Sequence, residues 1–104
     1  MPEAVVTVRW PDGRVEECWS PSLVVHDHLE AGRRYPVADF VARCVAAMDE
    51  ADRRVRARYG FACTGAAATV ASVGASASRH PADAEVEVVR VHPPLPADVG
   101  RGRT

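Results

Sequence analysis

"PVADFVARCVAAMDEADRRVRARYG", residues 36–60, is the stretch that decides the fold. Val37, Val41, Cys44, Met48, Ala51 and Val55 recur at alternating spacings of four and three, which lays one continuous apolar stripe along an α-helix, with Phe40 and Tyr59 beside it. Asp39 stands near the N-terminal end, and Arg53, Arg54, Arg56 and Arg58 stand near the C-terminal end. Both placements complement the helix dipole. Gly60 occupies the position where a left-handed glycine ends a helix, and Phe61 is placed to fold back as the apolar contact that accompanies such an ending.

Downstream of that stop, residues 62–79 are rich in alanine and serine, with Val70 and Val73 as the large apolar groups. They predict a helix that packs closely because its face is small, with Gly65 and Gly74 as weak points. "HPAD" breaks it, and "AEVEVVRV", 84–91, alternates as a strand. From His92 the chain is rich in proline and glycine with little to bury, which predicts one domain over 1–91 and a disordered tail over 92–104.

Upstream, "AVVTVRW" (4–10) alternates Val6, Val8 and Trp10 on one face, and "PDG" leads into "RVEECW" (14–19), which together predict a β-hairpin. Two registers compete. A type I turn with a glycine bulge pairs Trp10 with Arg14. A two-residue Asp-Gly loop pairs Trp10 with Val15 and Val6 with Trp19. The second gathers the apolar side chains on one face and is preferred, with Glu17 its awkward member. "SPSLVVHDHLEAG" predicts a short helix over about 22–30 capped by Ser20 or Ser22, and "RRY" (33–35) reads as a connector. The expected fold is α+β in the order ββαααβ: a small antiparallel sheet made from the hairpin and a C-terminal strand, packed on helices.

The 104 residues suit a single modest core. All 13 basic residues are arginine, and lysine, asparagine, glutamine and isoleucine are absent. That is the mark of GC-biased codons and points to a bacterial source. A net charge of −1 supplies no bulk attraction to nucleic acid or anionic lipid, so neither is an expected partner. No run has the apolar length of a membrane span and no leader-like segment opens the chain. Three cysteines without framework spacing fit reduced thiols, and the expected location is the cytoplasm.

Four groups of residues could carry chemistry. "CWSPS" (18–22) sets Cys18, Trp19, Ser20 and Ser22 where a strand yields to a helix. Such a place can hold an anion, a ligand or a partner at free N–H groups, although a capping serine and a core tryptophan are the plainer reading. In "YGFAC" (59–63), Cys63 is a weak candidate nucleophile with no histidine near it in sequence, and a buried thiol is the plainer reading. His26 and His28, two apart, point to different faces of a helix and chelate poorly together, so no metal and no cofactor is expected; His80 and His92 read as surface residues. The arginines of "DRRVRARYG" read as a solvated face paired with Asp49, Glu50 and Asp52.

"VRWPDG", "CWSPSLVV", "YPVADFVAR" and "DRRVRARYGFAC" resemble, in this order, segments of the small bacterial nitrogen-starvation-response proteins of the mycobacterial type, over about Val8 to Cys63. Trp19 and His28 depart from that pattern. The resemblance implies a gene cluster with a nitrilase-like hydrolase, a radical-SAM protein, an acetyltransferase, a flavin oxidoreductase and a protein similar to aminoimidazole-ribotide synthase, linked to nitrogen limitation and to nitrile or cyanide use. It brings no catalytic residues with it. The expectation is therefore a non-enzymatic accessory protein with a protein partner from that cluster. Its binding surface would be built from Cys18, Trp19, Ser20, Ser22, Tyr59, Phe61 and Cys63. A thiol-dependent enzyme or carrier using Cys63 with Cys18, and a sensor binding near Ser20–Ser22, are the alternatives. A homodimer through exposed sheet edges stays open beside a monomer.

Overall fold

The computed structural model describes residues 3–62 and 64–94. Its elements are β1 (Ala4–Arg9), β2 (Val15–Ser20), a 3-10 helix (Leu23–Asp27), β3 (Arg34–Pro36), α1 (Val37–Tyr59), α2 (Thr64–Ala77) and β4 (Glu85–His92). The strands form one antiparallel sheet in the order β2-β1-β4-β3. The architecture is α+β, as the alternation of patterns predicts. Two details differ. The residues read as a connector supply a fourth strand, Arg34–Pro36, which pairs with β4. The first of the three expected helices is a five-residue 3-10 turn.

The hairpin adopts the register that the apolar pattern disfavours. Val6 lies opposite Cys18, Val8 opposite Glu16 and Arg9 opposite Val15. The turn is Pro11-Asp12-Gly13, closed by hydrogen bonds from Trp10 N–H to Arg14 C=O (2.8 Å) and from Gly13 N–H to Trp10 C=O (2.8 Å). Gly13 takes a φ of 90°, the left-handed region that a bulged three-residue turn requires. The Asp12 carboxylate accepts the Arg14 N–H at 2.9 Å, and that bond holds the Asp12 carboxyl below its ordinary range. Local turn chemistry therefore overrides the gathering of apolar residues. It sends Glu16 toward the helices and Trp19 away from Val6.

The core lies between one face of the sheet and the two helices. Ala4, Val6 and Val8 of β1 meet Val86, Val88 and Val91 of β4. A bulge in β4 opposite Thr7–Val8 shifts the phase so that all three valines face inward. Phe40, Cys44, Ala47 and Met48 of α1 cover them, with Ala66 and Val73 of α2. Trp10 is 1% exposed and meets Phe40 edge to face at 5.5 Å. His80, expected at the surface, instead stacks on that indole at 5.6 Å, so the break after α2 serves the core.

α1 ends as the sequence indicates: Gly60 sits at φ 81° and its N–H returns to Arg56 C=O at 2.8 Å. Phe61 does not fold back. It is 63% exposed and stacks on Tyr59 (49% exposed) at 6.1 Å between ring centres. β4 runs through His92, and the Pro93 carbonyl lies 2.9 Å from His26 Nε2; residues 95–104 of the expected tail lie outside the described residues.

Candidate functional site

Of the seven residues expected to form a binding surface, six are described, and the fold distributes these six rather than assembling them. Ser20 and Ser22 are buried, and their polar groups are used locally. The Ser20 hydroxyl donates to Ser22 C=O at 2.7 Å and accepts the Ser22 N–H at 3.3 Å, while Ser22 Oγ accepts the Val24 N–H at 3.2 Å and so caps the 3-10 helix. Cys18 is buried as well. Burial pushes its thiol up to about 12, with the nearby Glu16 charge adding to the effect, so it stays protonated at neutral pH. Cys44, on the buried face of α1, is held protonated for the same reason. Cys63 lies outside the described residues.

Trp19 is half-buried at the outer edge of β2, where α2 lies over it. The Thr69 hydroxyl donates to its backbone carbonyl at 2.7 Å. A side chain at Gly65 would collide with its indole ring, so glycine is what lets α2 approach this closely. Gly65→Ala is expected to displace either the ring or the start of α2 at a cost of about 1–3 kcal/mol. Urea unfolding together with tryptophan emission checks this; an unchanged midpoint and an unchanged spectrum would mean that the close approach is not needed.

α2 is fastened to the hairpin mainly by polar groups, since Ala66 and Val73 are the apolar side chains it buries. The Glu16 carboxylate is the hub. It accepts from Trp10 Nε1–H (2.9 Å), the Ser76 hydroxyl (2.6 Å) and the Ser72 hydroxyl (2.7 Å), and Arg14 Nη2 lies 3.9 Å away. Arg14 also donates to Ser76 Oγ at 2.8 Å. Burial by itself would raise the Glu16 carboxyl. The hydrogen bonds from Ser76, Ser72 and Trp10, with the Arg14 charge, outweigh it and hold the group below its ordinary 4.5.

The other flank of α2 leaves an opening. A cleft of about 350 Å³ runs between α1 and α2, walled by Val45, Met48, Ala62, Ala66, Ala67 and Val70, with Asp49, Asp52 and Arg56 at its rim. Positions 45, 49, 52, 56 and 59 fall on one face of α1, which sets Tyr59, with Phe61 stacked on it, one turn beyond Arg56 on the same stripe as the lining residues. Val45, 44% exposed, adds apolar surface at the other end. Aromatic and arginine side chains beside an apolar concavity are the composition of a protein-binding face. Sequence reasoning found the aromatics and missed the cleft. Nothing in the sequence marks it, because Ala62, Ala66 and Ala67 are small residues within an alanine-rich run.

The arginines of α1 are paired within the helix: Arg53 with Asp49, Arg54 with Glu50 (3.1 Å) and Arg56 with Asp52 (2.8 Å), while Arg58 lies over the Tyr59 ring. His28 bonds Glu50 at 3.0 Å and ties the 3-10 segment to α1. Among the described residues, no group of three or more His, Cys, Asp or Glu is placed to hold a metal ion, and no helix is long and apolar enough to cross a membrane.

The described residues thus define a small α+β domain with an aromatic-ended groove between two helices. The profile of the family described as nitrogen starvation-induced protein NitG matches residues 5–91, and the chain belongs to that family. No curated protein and no solved structure shows significant similarity to it.

Proposed function

We propose that this protein is a non-enzymatic accessory protein of the nitrogen-starvation response, working in the cytoplasm with proteins of a nitrile- or cyanide-related nitrogen-assimilation pathway. Its binding surface is the Tyr59–Phe61 end of α1 together with the groove between α1 and α2, and Trp19 flanks the far side of α2. Family membership supports the starvation response, and the resemblance of the four sequence segments supports the pathway. The observation that carries the interaction role is the exposed, stacked Tyr59–Phe61 pair. Two large rings left in water at a helix end are a standing cost unless something covers them. Ser20 and Ser22 have spent their hydroxyls on the turn, which counts against a sensor there; Cys18 offers no thiolate at neutral pH, while Cys63, the candidate nucleophile of the thiol alternative, lies outside the described residues.

Affinity capture from nitrogen-starved cells tests this. The wild-type chain is expected to retain the nitrilase-like hydrolase or another product of the cluster. Phe61→Asp is expected to lose it while keeping the same thermal midpoint, because Phe61 contributes little to the core. Capture of no cluster product by the wild type, or equal capture by the variant, would sink the proposal.

A further inference from the structure

The groove has a face that complements itself. Along the exposed side of α1 the order is Val45, Asp49, Asp52, Arg56, Tyr59: an apolar residue, then acids, then a base, then the aromatic end. When such a face meets a second copy running the opposite way, position 45 comes opposite 59 and position 49 opposite 56. Val45 then meets the Tyr59–Phe61 stack of the other copy, and Asp49 meets its Arg56. Two such matches arise from each residue pair, as a twofold interface requires. We infer that a second copy of this chain is a partner of this face, with α1 packed antiparallel on α1 and the two α1–α2 layers forming a four-helix arrangement.

The inference rests on the reading of this face as an interaction surface. Three further observations favour a second copy. α2, the other wall of the groove, carries no charged residue, so an incoming copy meets no like charge there. The sheet edges are poorly open to self-pairing: Thr69 already occupies the Trp19 carbonyl on β2, and β3 is three residues long and ends in Pro36, which has no N–H to donate. Among the described residues of the helical layer, the exposed large apolar ones, Val45, Tyr59 and Phe61, are those this packing covers. At the twofold axis Asp52 faces its own copy; within each helix Arg56 holds Asp52 at 2.8 Å and Arg53 holds Asp49, so each Asp49–Arg56 contact between copies extends these pairs into one charge network.

Sedimentation velocity of the purified full chain over a wide concentration range, at low salt, tests it. The wild type is expected to dimerise. Val45→Asp, Asp49→Arg and Arg56→Asp are each expected to weaken the dimer by about ten-fold or more while circular dichroism keeps the helix content. The decisive arm is an equimolar mixture of Asp49→Arg and Arg56→Asp. Each variant repels itself, and the pair restores both opposite-charge contacts, so a heterodimer is expected. A wild type that stays monomeric throughout, a dimer indifferent to all three substitutions, or a mixture that does not associate would each overturn the inference. A monomer that still captures pathway proteins through Phe61 removes the second copy and leaves the accessory role standing. A dimer that captures none does the reverse.

Discussion

Trp10→Ala is expected to remove most of the protein's folding stability. The indole is 1% exposed, meets Phe40 edge to face, and stacks with His80. Removing a ring of that size from a packed core costs about 3–5 kcal/mol. A domain of this length has a total stability of about 5–15 kcal/mol, and a core built on alanine and valine places it toward the lower end. Trp10→Phe separates packing from hydrogen bonding. It keeps an aromatic body against Phe40 and removes the Nε1–H that Glu16 accepts, so the expected loss is about 1 kcal/mol. Urea unfolding followed by circular dichroism checks both. A loss below about 1 kcal/mol for Trp10→Ala would contradict the central place given to this residue.

Glu16→Ala is the second large effect. It strips the acceptor from the buried indole N–H of Trp10 and from the buried Ser76 hydroxyl, and orphaned buried donors cost about 1–3 kcal/mol; the Ser72 hydroxyl, which is exposed, can turn to water. Because α2 buries little apolar surface, the loss should loosen α2 before the sheet, and hydrogen exchange should show protection falling first over 64–77. The same carboxylate predicts a pH dependence. Its folded pKa lies below the ordinary 4.5, so the stability it contributes is fully present above 4.5 and is lost as pH falls through the lower folded value. Glu16→Gln has no such titration. The gap in unfolding midpoint between wild type and Glu16→Gln should therefore be widest near about pH 7 and shrink by about pH 3. A gap that stays constant with pH would remove the ionised hub.

α1 was legible because its evidence is redundant: a stripe of constant phase over 23 residues, a proline before it and a left-handed glycine after it. The strands were legible by alternation and their pairing was not. The register depends on whether Glu16 can be tolerated inward, and the groups that satisfy it, Ser72 and Ser76, lie 56 and 60 residues away. β3 escaped because three residues carry no period, and Pro36 serves both as its last residue and as the approach to α1. Tyr59 and Phe61 were legible as a pair at a helix stop, but their exposure was not, since a C-terminal aromatic fits a buried contact and an outward one equally well. Of the residues expected to bind together, Ser20 and Ser22 turned out to be spent on a turn, because a capping serine and a ligand-binding serine look the same in sequence. The groove was invisible for a different reason: alanine walls carry no chemical signature.

The central claim is that the helical face, and not the sheet, is where this protein meets its partners. The most direct measurement places a photo-crosslinking amino acid singly at positions 45, 61, 15 and 89, all sites where the native side chain is exposed, and irradiates nitrogen-starved cells. The account predicts discrete adducts from positions 45 and 61, to a second copy of the chain or to a protein of the same pathway, and none from 15 or 89 on the strands. Adducts from the strand positions with none from the helical face would contradict it.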